Sequence, residues 1–148
     1  KETNTNLGNI IEIINKETDE INFFDDFAKW MRILYKTNIQ ELSKWVDEIS
    51  IKGRRNQKSF CSYAINIIRE CLIFNFTNQR LLKTTEQEKK FIDKFSVFIH
   101  EKNSILIIEK LEKAIAGINR NANAKILFFE LSLQISRFLK VKCNFVTK

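Results

Sequence analysis

"NRNANAKILFFELSLQISRFLK", residues 119–140, decides how the rest of the chain is read. Two asparagines alternate with alanines, and the run after them has 3.6-residue periodicity on more than one face. Ile126, Phe129 and Leu133 fall on one side; Leu127, Leu131, Ile135, Phe138 and Leu139 fall on another. A surface helix needs only one apolar stripe of roughly 100°. This one is therefore either central to a core or packed inward while meeting something else outward.

The segments before it carry the same helical spacing. Phe23, Phe27, Trp30, Met31 and Leu34 make one stripe, and Leu42, Trp45, Val46 and Ile49 a second. Asn38 followed by Glu41 reads as an N-cap with a reciprocal partner before that second helix, and Gly53 as its C-terminal stop. Residues 59–76 carry two adjoining stripes, through Phe60, Ala64, Ile67, Cys71 and Phe74, and through Cys61, Ile65, Ile68 and Leu72. Thr85 with Glu88 forms a capping-box pattern ahead of Phe91, Ile92, Phe95, Phe98 and Ile99. After His100 the pattern restarts, with Asn103 or Ser104 as the expected cap. Its expected core face runs through Leu106 or Ile107, then Ile108, Leu111, Ala114, Ile115 and Ile118. A short helix is expected over residues 7–16.

Composition points the same way. Of 148 residues only 3 are glycine and none is proline, which disfavours tight hairpins. The length suits one domain, with no linker or repeat dividing it. The expectation is an all-α fold, a single bundle of six to seven helices. No apolar run reaches about 18 residues, so no membrane span is expected. The cysteines Cys61, Cys71 and Cys143 form an odd set. Ten residues apart on one helix, the first two are about 15 Å apart, too far for a disulfide. A soluble, cytoplasmic protein is the expectation. The chain opens on Lys1 and reads as a piece of something longer.

A search for chemistry finds little. His100 is the sole histidine, so a zinc site is not expected. Three scattered glycines cannot build a phosphate loop. Asp25–Asp26 and Asp47–Glu48 are adjacent pairs whose side chains diverge by about 100° on a helix, and they read as solvated faces. Cys61 and Cys71 lie on wide apolar faces, where buried thiols are inert. No catalytic residue, cofactor or metal is assigned.

Charge supplies the remaining signal. Lys and Arg number 25 against 18 Asp and Glu, a net +7, and the densest cluster is Lys52, Arg54, Arg55 and Lys58. Such a patch fits phosphates or an acidic protein surface. No aromatics interleave it at the spacing that single-strand stacking uses. A basic helical nucleic-acid-binding module is thus the alternative to a protein-facing patch, and an uncharacterised enzyme the third reading.

The order "FFDDFAKWMRILYK", "ELSKWVDEIS", "GRRNQKSFCSYAINIIRE", "EKKFIDKFSVFI" and "INRNANAKILFFELSLQISRFL" resembles the C-terminal region of the bacterial DNA polymerase III delta-prime subunits, over about residues 20–140. The resemblance implies a clamp-loader collar: a helical oligomerisation domain that follows an ATPase-type module and packs beside other collars in a five-membered ring. It implies that residues 1–19 end the preceding lid subdomain or form a linker, and that 20–148 are the collar. "GNIIEIIN" would stand where active loader ATPases carry a nucleotide-sensing arginine, and no arginine stands there. The implied role is assembly in DNA replication without catalysis in this fragment. The implied partners are delta and gamma/tau-type subunits, with at most a weak brush against template DNA. Candidate contacts are Phe128, Phe129, Ser132, Gln134, Ser136 and Arg137 on the last helix, with Arg54 and Arg55 of the basic cluster.

Overall fold

A computed structural model describes residues 23–77 and 85–140. The expected helix at 7–16, the boundary at 19/20 and Cys143 lie outside them. The described residues are all helical, without strands. The first helix, α1, covers 23–36 of this range. It is followed by α2 (Ile39–Ser50), α3 (Arg54–Thr77), α4 (Glu86–Phe95) with a 3-10 turn at Ser96–Phe98, α5 (Glu101–Asn119) and α6 (Ala124–Leu139). The bundle expected from the sequence is present, and no helix of the described residues is long and apolar enough to cross a membrane.

Local chemistry sets the boundaries. Thr37 takes a left-handed φ of 57°, breaking α1 from α2. The Asn38 carboxamide oxygen then accepts the Gln40 and Glu41 N–H groups at 3.1 and 3.2 Å, satisfying two orphan donors at once. Gly53, at φ 90°, makes the tight corner into α3. Across that corner the buried Gln57 amide donates to the carbonyls of Ile49 and Ser50, both at 3.1 Å, closing the end of α2. The Thr85–Glu88 capping box forms, and the Glu88 carboxylate also accepts the Tyr63 hydroxyl at 2.5 Å, tying α4 to α3.

The expected cap of α5 is corrected. His100 is the N-cap: its Nδ1 accepts the Asn103 N–H at 3.3 Å, while Asn103 Oδ1 accepts the His100 N–H at 2.8 Å. Asn103 is drawn inward, where its amide donates to the Phe98 carbonyl at 2.8 Å and to that of Phe138 at 3.3 Å. Of the two registers open for α5, Ile107 is the core residue; Leu106 is exposed.

The core centres on Trp30 and Trp45, stacked at 4.8 Å and 2° between planes, with Phe60 against both and Phe128 against Trp45. Both stripes of α3 are buried from Phe60 to Cys71, making it the central helix, flanked by α4 and α5. Helix α6 packs between α5 and α2 and beneath α1. Gly117 lets α5 and α6 close together: a Cβ there would stand 2.8 Å from Leu127 Cδ1.

Candidate functional site

Helix α6 starts from a polar corner. Asn121, in the left-handed region at φ 64°, ends α5, as the short polar side chain of asparagine allows. The Ala122 N–H returns to the Gly117 carbonyl at 3.0 Å, and Asn123 caps α6 by accepting the Ile126 N–H at 3.1 Å. These asparagines serve the turn.

From there the helix is two-sided. Phe128, Leu131, Ser132, Ile135, Ser136 and Leu139 are buried in the chain's own core. Ser132 accepts the Trp30 indole N–H at 2.8 Å and donates to the Phe128 carbonyl at 2.6 Å. Ser136 donates to the Leu34 carbonyl at 2.9 Å. So three of the six candidate contact residues, Phe128, Ser132 and Ser136, face inward and offer nothing to a partner. The α1 partners of Ser132 and Ser136 lie 102 residues away in sequence, beyond the reach of any local pattern.

The other three occupy different ground. Phe129 and Gln134 are half-buried and Arg137 is exposed. Phe129 and Arg137 share the outward face with Ile126, which is 67% exposed, Glu130, and Leu133, which is 39% exposed. Positions 126, 129, 130, 133 and 137 follow the spacing of one helix stripe, so two exposed apolar side chains, with Phe129 half-buried against the core between them, stand beside one acid and one base. Gln134 lies round the corner in a groove of about 310 Å³ between α5 and α6, with Leu127 in its wall and Lys110 and Lys113 across from it.

The four residues of the basic cluster also divide. Lys52 is ion-paired with Asp26, and Lys58 donates to the Asn119 side-chain oxygen at 2.9 Å. Arg54 and Arg55 are exposed in the first turn of α3, which holds no acid to offset them. Their charge adds to the positive end of the helix dipole. The Lys58–Asn119 bond brings the start of α3 beside the α5–α6 turn. The Lys125–Asp47 ion pair, 3.5 Å long, joins the head of α6 to α2. One end of the bundle therefore gathers Arg54, Arg55 and Ile126, together with Ile51, which is 83% exposed in the α2–α3 corner. Ile51, the C-cap of α2, was not singled out from sequence, although an isoleucine two residues before a glycine at a helix end could have been.

Other chemistry-bearing groups are committed to structure. Asp47 pairs with Lys125, Glu48 with Lys29 at 3.8 Å, and Asp26 with Lys52. Burial pushes the thiols of Cys61 and Cys71 up to about 12, with the Glu70 carboxylate adding to the effect on Cys71. Neither thiol is a nucleophile at neutral pH. Among the described residues no group of three His, Cys, Asp or Glu could hold a metal ion. Comparison of the chain with known protein families, curated proteins and solved structures finds no match.

Proposed function

We propose that the chain is an assembly module, a clamp-loader collar of the delta-prime type, whose work is to hold subunits together during DNA replication without chemistry of its own. The single observation that carries an assembly role is the outward stripe of α6. Ile126 and Leu133 are exposed on a helix whose inner face is already employed, so packing among the described residues does not account for them; Phe129, half-buried against the core, lies between them. The collar assignment itself rests on the sequence resemblance, which spans the same helices. In this reading α6 and the α5–α6 groove form a seam with a neighbouring collar, and Phe129, Gln134 and Arg137 are its contact residues. Arg54 and Arg55 stand at one end of that seam, toward an acidic neighbour. The partners are delta and gamma/tau-type subunits.

The test is reconstitution. The full-length protein is mixed with the delta and gamma/tau-type subunits of the same genome and followed by size-exclusion chromatography. Co-elution is the expected result. Elution of each component alone argues against the reading.

A nucleic-acid-binding module is the second reading, favoured by one observation: Arg54 and Arg55 reach solvent together at a positive helix end. It predicts DNA binding that weakens steeply with salt and is lost in the Arg54→Glu/Arg55→Glu protein. No binding at low salt removes it.

A further inference from the structure

A second surface lies between α1 and α4. There Phe24, Phe91, Phe95 and Phe98 wall a groove of about 430 Å³, within the range of small-ligand and peptide pockets. Arg32 from α1 and Lys90 and Lys94 from α4 stand on its rim, and no carboxylate lines it. None of these three cations has an ion-pair partner among the described residues, unlike Lys29, Lys52, Lys89 and Lys125. Lys90 and Lys94 are one helical turn apart, so their charges fall on the same side of the opening. Tyr35, 60% exposed, extends the aromatic wall by packing on Phe98 at 5.1 Å.

We infer that this groove receives an acidic amphipathic segment of a partner protein, its apolar side chains set among the phenylalanines and its carboxylates on the rim cations. The groove's charge selects an anionic partner, and its floor an apolar one. Nucleic acid meets the first demand and fails the second. Stacked bases need open ring faces. Here Phe91 lies nearly parallel on Phe95, 5.0 Å between centroids and 22° between planes, and meets Phe24 at 89°. The rings are spent on one another and leave a slot, which fits side chains better than it fits bases. A helix entering as a groove ligand would present anchors at i, i+3 or i+4 and i+7. The inference does not depend on the collar reading, because α1 and α4 take no part in the α5–α6 seam.

The experiment is a display selection of random 16-residue peptides on the full-length protein, with selected peptides titrated against wild type, Lys90→Glu/Lys94→Glu and Phe24→Ala. Helical melting of each variant is checked first. The expected enrichment is for Asp and Glu flanking Leu, Phe or Trp at helical spacing. Charge reversal on the rim weakens binding about 10-fold or more, because repulsion replaces attraction at two positions. Phe24→Ala weakens it with the charge intact. Enriched peptides without acidic residues, or ones that bind the Lys90→Glu/Lys94→Glu protein as well as wild type, overturn the inference. So does a selection that enriches nothing. Fluorescent oligo-dT of 20 nucleotides and anionic phosphatidylserine vesicles serve as competing probes. If either binds at this groove and is released by Lys90→Glu/Lys94→Glu while the peptides are not, the partner is a nucleic acid or a membrane surface instead.

Discussion

The inner and outer faces of α6 use similar residues to opposite ends. Inside, Phe128 meets Trp45, and Ser132 and Ser136 complete hydrogen bonds to the Trp30 indole and the Leu34 carbonyl. Every polar group there is matched by one on α1. Outside, Ile126 and Leu133 remain exposed, and no element of the described residues buries them. The difference teaches that apolar content alone does not distinguish a core residue from a contact residue. What distinguishes them is whether another element of the same chain brings the complementary group.

That contrast can be broken from the inside. Trp45→Ala removes the stacked partner of Trp30 and opens the centre of the bundle, and should cost about 3–5 kcal/mol in denaturant unfolding. Ser132→Ala removes one hydroxyl and strands the Trp30 indole N–H in a buried site; the expected loss is about 1–3 kcal/mol. If Ser132→Ala were silent, the inner face would tolerate polar mismatch and the distinction drawn above would fail.

The buried thiols give a pH test of the same interior. Their pKa values rise from 9.0 to about 12 on folding, so the folded state holds protons that the unfolded state releases. Their contribution to stability is complete below pH 9 and is lost progressively as pH climbs toward 12. Denaturation midpoints should therefore fall more steeply over this window in wild type than in Cys61→Ala/Cys71→Ala. At pH 8, peptide mapping after iodoacetamide should find both thiols unmodified until denaturant is added.

The number of helices, their stripes and most of their caps were legible in the sequence, because each depends on neighbours within one or two turns. Thr85 and Glu88 illustrate this, three residues apart and mutually bonded. The inward face of α6 was not legible, since Ser132 and Ser136 look like surface residues until α1 arrives from 102 positions away. His100 escaped notice as a cap because a neutral imidazole accepts through Nδ1, which places it outside the usual hydroxyl and carboxamide set. The aromatic groove was equally hidden. Along the chain the Lys52–Lys58 cluster has no interleaved rings, whereas folding sets Phe24 and Arg32 of α1 against Lys90 and Lys94 of α4.

The outer face is the place to test the account most directly. Ile126→Asp/Leu133→Asp changes two exposed positions, so the melting curve should match wild type to within about 0.5 kcal/mol. Native mass spectrometry of the full-length double variant with delta and gamma/tau-type subunits then measures what the stripe is for. The account predicts that wild type enters the complex and the variant stays free. A variant that assembles as well as wild type, or a wild type that does not assemble, contradicts it.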